Sequence, residues 1–124
     1  MAGSRAIDVS ALTKVFDRVT AVDHLSFHVD EGEVFGLLGP NGAGKSTTLR
    51  ILITLLRPTS GSATIAGADV LREPEKVRSR IGYVPQERAI DRFLTGREHL
   101  LLLADLYHLS KLEPRRRIAE MLAL

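Results

Sequence analysis

The chain has 124 residues, 44% of them hydrophobic and 26% charged, a composition for one small globular domain or part of a larger one. Its formal charge of +2 is too slight to argue for nucleic acid, and the lack of cysteine excludes disulfides and thiolate chemistry. Met1-Ala2-Gly3-Ser4-Arg5 has no apolar stretch behind it, so no secretory signal is expected, and the Leu100-Leu101-Leu102-Leu103 run is far shorter than the roughly 20 residues of a bilayer span.

Ile7-Asp8-Val9 begins an extended segment expected to continue through Leu12 to Val15 and Phe16. From His24 to Val29 apolar and polar residues alternate, the pattern of a half-buried strand. His24 and His28 then share a face, and two imidazoles alone read as solvent-facing residues rather than a metal site. Asp30-Glu31-Gly32-Glu33 reads as a tight turn, so an antiparallel β layer is expected over the first thirty-odd residues. Val34-Phe35-Gly36-Leu37-Leu38 is an apolar run expected to be a strand buried on both faces. It leads into Gly39-Pro40-Asn41-Gly42-Ala43-Gly44-Lys45-Ser46-Thr47, which fits the phosphate-loop pattern G-x-x-x-x-G-K-[ST]. Between Thr47 and Leu56, the residues Leu49, Leu52, Ile53 and Leu56 follow the i, i+3, i+4, i+7 spacing of one helix face.

Beyond that helix, residues 57–61 turn the chain, residues 62–66 read as a short strand, and Gly67-Ala68-Asp69 reads as a turn. Pro74 opens a short polar helix from Glu75 to Arg80. Ile81-Gly82-Tyr83-Val84 is expected as a core strand running into Pro85-Gln86-Glu87. Thr95-Gly96-Arg97-Glu98 has capping-box spacing and predicts a helix from Gly96 to about Tyr107, whose leucines should bury one face against the core. Pro114 starts a last helix with Arg115, Arg116 and Arg117 on a solvated face. His99 and His108 have no further ligand at metal spacing and read as helix-surface or cap residues.

The loop's residue types dictate its chemistry. Gly39, Gly42 and Gly44 lack Cβ, so the backbone can close on a phosphate chain. The N–H groups of residues 42–47 then form a nest at the positive end of the helix dipole. Lys45 adds a point charge for β- and γ-phosphates, the Ser46 hydroxyl can ligate Mg²⁺, and Thr47 can bond the α-phosphate. A chance match to this pattern in so short a chain is on the order of one in a few hundred.

The loop, preceded by Glu31-Gly32-Glu33-Val34-Phe35-Gly36-Leu37-Leu38, resembles the first half of an ATP-binding-cassette (ABC) transporter ATPase. Ile81-Gly82-Tyr83-Val84-Pro85-Gln86 is similar to the Q-loop strand of that family, and the resemblance runs from about Ile7 onward. Leu94-Thr95-Gly96-Arg97-Glu98-His99-Leu100, with Leu106-Tyr107, resembles the branch of daunorubicin-type resistance exporters. The fold so implied is α/β, a P-loop NTPase core of ABC ATPase type with an N-terminal antiparallel β layer and the start of a helical subdomain. Residues 1–86 would be β layer and core, and residues 87–124 the subdomain start. Phe16 stands where the family places an aromatic that stacks on adenine, a contact worth about 1–3 kcal/mol. The plainer reading is that Phe16 fills the core of the β layer. Gln86 matches the glutamine that approaches Mg²⁺ and the attacking water.

The implied ATP site is therefore Phe16, Gly39, Asn41, Gly42, Ala43, Gly44, Lys45, Ser46 and Thr47. Lys45 and Gln86 would serve the reaction, and Ser46 and Gln86 the Mg²⁺. The implied partners are a polytopic membrane subunit, touched by the region 86–109, and a second cassette, without nucleic acid, at the cytoplasmic face of the cell membrane. The family's signature sequence, its apolar strand ending in Asp-Glu and its switch histidine do not occur in the sequence. With no carboxylate placed to polarise water, the chain is expected to bind Mg-ATP weakly and hydrolyse it poorly or not at all, whereas its full-length parent would be an ATP hydrolase driving export of a drug-like or lipid-like compound. The core sheet's edge is expected to be uncovered and aggregation-prone. Two other readings stay open: a soluble cassette protein acting on nucleic acid or ribosomes, and a truncated product without an independent role.

Overall fold

Strand β1 (Arg5–Phe16) and strand β2 (Val19–Asp30) form where apolar, β-branched and aromatic residues alternate with polar ones on both sides of a two-residue turn. They pair antiparallel, with Val9 opposite Phe27 and Leu12 opposite Leu25, and Asp17 at φ 49 takes the left-handed position a short hairpin needs. In this computed structural model residues 4–86, 90–109 and 113–124 are described, so the expectations placed on Glu87 and on residues 1–3 fall outside them. Two compact units are present, Met1–Tyr83 and Val84–Leu124.

In the first unit, strand β3 (Ser60–Ile65) joins the free edge of β1, and strand β4 (Ala68–Asp69) joins β3. The sheet order is β2-β1-β3-β4, antiparallel throughout. The turn expected at Gly67-Ala68-Asp69 lies earlier, at Ala66 and Gly67, because both take positive φ and so let Ala68 pair with Ile65. Register shifts in the β1–β2 ladder accompany left-handed Ala11 and His24, each at φ 45. Side chains satisfy the amides there: Ala11 N–H donates to Ser26 Oγ at 2.8 Å and His24 N–H to Thr13 Oγ1 at 3.1 Å. Strict alternation lapses at that irregularity and does not fix the face of His24, although both His24 and His28 are exposed.

Helix α1 (Lys45–Leu52) starts and ends earlier than the expected 47–56, and its buried stripe is Thr48, Ile51 and Leu52. Leu49, expected inward, is 45% exposed. The helix stops in a Schellman motif, with Thr54 N–H on Ile51 O at 3.0 Å and Leu55 N–H on Arg50 O at 2.8 Å. Thr54 occupies the left-handed position at φ 66, and its hydroxyl accepts a hydrogen bond from Arg78 at 3.0 Å. Leu56 therefore reaches the core after a chain reversal, not as a fourth helical position. Helix α2 (Pro74–Arg78) has Pro74 in its first turn and ends short of the expected Arg80. Val9, Leu12, Ala63 and Ile65 of the sheet pack with Ile51 and Leu52 of α1 and Val77 of α2 in one core.

Neither expected core strand forms. Residues 34–38 are irregular, with Val34 99% and Leu38 92% exposed, and residues 81–84 are irregular although Ile81 touches the core. A strand exists only through its neighbours, and among the described residues none pairs with either run.

In the second unit, helix α3 (Gly96–Leu106) opens with the expected capping box: Glu98 N–H donates to Thr95 Oγ1 at 3.3 Å and Thr95 N–H to Glu98 Oε2 at 2.8 Å. Its other end repeats the Schellman arrangement, with His108 at φ 52 and Leu109 N–H on Ala104 O at 3.0 Å. Helix α4 (Glu113–Leu122) buries Pro114 and Ile118, while Arg116 and Arg117 pair with Glu120 and Glu113 on its open face. Within this unit α3 buries Ala104, half-buries Leu100 and Leu101, and leaves Leu102, Leu103 and Leu106 exposed, so the expected leucine face is covered only in part. One short partner helix cannot cover a full apolar stripe.

Gly61, at φ +82, lies so near β1 that a Cβ would stand 2.2 Å from the Ala11 carbonyl oxygen. Gly61→Ala should cost about 2 kcal/mol or more, read as a lower urea midpoint. Hydrogen bonds from Thr95 hold the Glu98 carboxylate below its usual range. Its folded pKa is below its unfolded one, so the cap contributes above the unfolded value and is lost as pH falls through the folded value. Acid titration followed by circular dichroism should show helicity falling in that window, and Glu98→Gln should remove this component.

Candidate functional site

The phosphate loop is seated on β2 by a backbone contact that excludes any side chain. Gly44 caps α1 at φ 86, and a Cβ there would lie 2.2 Å from the Ala21 carbonyl oxygen and 3.2 Å from Val22 Cγ2. Upstream, Phe35 stacks on Phe27 of β2, the ring centroids 5.1 Å apart and the planes 5° from parallel. The irregular approach 34–38 is thus held to the same strand as the loop's far end. Thr48, 1% exposed, closes the turn by donating its N–H at 2.8 Å and its hydroxyl at 2.9 Å to the Gly44 oxygen.

That N–H is the first bond of the helical ladder, so the N–H groups of Lys45, Ser46 and Thr47 stand ahead of it without intrahelical partners. They supply the positive end of α1. The Ala43 amide, expected in the nest, instead donates to Pro40 O at 3.1 Å and tightens the loop. Lys45 Nζ donates to Gly39 O and, at 2.7 Å, to Pro40 O. An ammonium has three donors, which leaves one for an incoming oxygen.

A cavity of about 370 Å³ adjoins the loop, walled by Thr20, Ala21, Val22, Asp23 and Leu25 of β2 and by Leu37, Leu38, Gly42, Ala43, Gly44, Lys45 and Thr48. The structure so brings together Gly42, Ala43, Gly44 and Lys45 of the expected site. Gly39, Asn41, Ser46 and Thr47 lie on the loop outside this wall; Asn41 and Ser46 are exposed and Thr47 is half-buried. Phe16 ends β1 and is 45% exposed, which is not how a ring filling the β layer would sit. Gln86 is exposed at a bend in the second unit. The β2 wall carries no motif that marks it in the sequence. Its one trace is the glycine at Gly44, which signals a close neighbour without naming it.

These residues fit a polyphosphate: unpartnered amides at a helix start, an ammonium across the loop, and open space beside both. They also fit Mg²⁺, which takes hydroxyl, amide and phosphate oxygens, since the Ser46 hydroxyl is exposed in the first turn of α1.

A family profile described as ABC transporter matches residues 22–124. The chain belongs to the ABC transporter family. It is 48% identical over 119 residues to the daunorubicin/doxorubicin resistance ATP-binding protein DrrA of Streptomyces peucetius, covering 96% of this chain and 36% of that protein. A probable multidrug ABC transporter ATP-binding protein of Escherichia coli, YbhF, is 40% identical over 96% of this chain and 21% of that protein. The chain thus spans about a third or less of the length of these two curated relatives. A solved ATP-binding subunit of an ABC transporter matches with TM-score 0.77 and 37% identity, over 90% of this chain and 47% of that one. The dimeric, post-hydrolysis cassette MJ0796 with ADP and Pi matches with TM-score 0.78 and 28% identity, over 92% of this chain and 54% of that one.

The described residues are therefore an N-terminal part of the ABC ATPase fold, and family membership implies nucleotide binding. The daunorubicin-type resemblance seen from Leu94 onward agrees with the relatives found. Among the described residues, no helix is long and apolar enough to cross a membrane.

The seat of the loop is testable by comparing two glycines. Gly44→Ala should cost at least about 2 kcal/mol of stability and abolish measurable nucleotide binding. Gly42→Ala, at φ +84 but with no atom within 4 Å of its Cβ, should cost about 1 kcal/mol and only weaken binding. Urea unfolding and calorimetric titration with ATP would separate the two.

Proposed function

We propose that this cassette segment belongs to the ATP-binding subunit of an exporter and binds Mg-ATP to energise transport of a drug-like or lipid-like compound through a separate membrane subunit. The observation that carries this reading is the loop itself: Gly44 pressed on β2, three unpartnered amides at the start of α1, and Lys45 across the mouth. The relatives' names, resistance and multidrug ATP-binding proteins, support an exporter of drug-like cargo.

In this reading the amides of Gly44, Lys45, Ser46 and Thr47 receive phosphate oxygens, and the free Lys45 donor meets the β- or γ-phosphate. Gly39, Asn41, Gly42 and Ala43 hold the loop's curvature. Ser46 would hold Mg²⁺, which when bound neutralises charge on the phosphate oxygens; the Mg²⁺ and water role implied for Gln86 rests on the family resemblance alone. Phe16 stacks on the base. Asp23, the carboxylate in the cavity wall, is 75% exposed and turned to His24 at 2.5 Å, so among the described residues this wall holds no base ready for water. This supports the reading that the chain binds ATP without hydrolysing it efficiently.

The remaining assignments rest on the family. The second unit is assigned to the start of the helical subdomain, with the exposed residues of region 86–109 turned to the membrane subunit at the cytoplasmic face; residues 87–89 of that region are outside those described. Pairing with a second cassette is supported by the dimer reported for MJ0796.

Titration of the folded chain with Mg-ATP should give saturable heat, reduced at least about tenfold by Lys45→Ala, a change of about 1.4 kcal/mol. Ser46→Ala should remove the dependence on Mg²⁺ and retain binding of ATP in its absence. No heat from the folded wild type, or equal heat from Lys45→Ala, would overturn the assignment.

A further inference from the structure

We propose that Lys14 is a positioning residue for the base platform: it braces the Phe16 ring and ties it to the segment leaving the phosphate-loop helix. This rests on the reading of Phe16 as the residue that stacks on the base.

Lys14 Nζ stands 4.9 Å from the centroid of the Phe16 ring, within the range where an ammonium is attracted to an aromatic face. The same nitrogen donates to the Arg57 carbonyl at 2.8 Å. The cation is therefore fixed from behind. Two more bonds join the same short stretches: Thr59 N–H donates to Thr13 O at 2.8 Å, and Val15 N–H donates to Thr59 Oγ1 at 3.0 Å. Three consecutive residues of β1, Thr13, Lys14 and Val15, are thus clamped by residues 57–59 just before the strand ends in Phe16.

The brace has a purpose at this position. Phe16 is 45% exposed at a hairpin end, where an aromatic side chain without lateral support samples several rotamers. A fixed ammonium over one face selects a rotamer and leaves another face for stacking. A platform ordered in advance spares the ordering cost when a ligand arrives. Its location suits that ligand, because Val15 and Phe16 pair with Thr20 and Val19, directly ahead of the β2 residues Thr20 to Asp23 that wall the cavity.

A purely structural Lys14, serving only the Arg57 carbonyl, would affect stability and treat all ligands alike. A brace for the base platform affects only ligands that carry a base. The test compares Mg-ATP with inorganic tripolyphosphate by calorimetry on the whole chain, as wild type, Lys14→Met, Lys14→Arg and Phe16→Ala. Lys14→Met should weaken ATP about two- to fivefold and leave tripolyphosphate unchanged, and Lys14→Arg should restore ATP affinity. Phe16→Ala should weaken ATP about fivefold or more, again without touching tripolyphosphate. Adding Lys14→Met to Phe16→Ala should then change nothing further. If Phe16→Ala is selective for ATP but Lys14→Met is silent, or weakens both ligands equally, the brace is refuted and the stacking reading stands. If Phe16→Ala leaves the ATP-to-tripolyphosphate ratio unchanged, the stacking reading fails and the brace with it. Should Lys14→Met unfold, the comparison of Lys14→Gln with Lys14→Arg carries the same outcomes.

Discussion

The Gly44 backbone rests against the Ala21 carbonyl at a distance no side chain permits, and the candidate site depends on that contact. It sets where α1 begins and so which amides stand ahead of the ladder. It brings the wall of β2 to the loop and makes a cavity out of two elements that share no motif. Thr48 reinforces it from the buried side, with two bonds to the carbonyl of the same glycine. A helix start by itself is a weak attractor for anions; one held in place against a sheet has its orientation fixed before any ligand arrives.

Two lysines show a second regularity. Lys45 is bonded to the carbonyls of Gly39 and Pro40, and Lys14 to the carbonyl of Arg57. One anchor precedes α1 and the other comes after it. Among the described residues neither ammonium pairs with a carboxylate. A cation held by neutral dipoles keeps most of its charge available, whereas one neutralised by a carboxylate does not. For Lys45 that charge serves phosphate, and for Lys14 it serves a ring.

What could be read from the sequence was the part determined by near neighbours. The hairpin of β1 and β2, the glycine loop, the proline at the start of α2 and the Thr95–Glu98 capping box all rest on residues a few positions apart. They appear where the pattern places them. Residues 34–38 and 81–84 failed for the opposite reason: an apolar run becomes a strand only if another strand lies beside it. The length of α1 escapes the sequence because Thr54, a β-branched residue in a left-handed conformation, ends the helix where composition gives no stop. The β2 side of the cavity was invisible because Thr20, Ala21, Val22 and Asp23 look like any strand; only the fold turns them toward the loop.

The contacts that seat the loop, Phe35 on Phe27 and Gly44 on Ala21 and Val22, join residues nearer along the chain than those that β1 and β3 pair, such as Ile7 and Ile65. Closing such short stretches loses little loop entropy and is fast compared with long-range sheet pairing. As the polypeptide leaves the ribosome from its N-terminus, the anion cradle has all of its parts available once α1 has emerged.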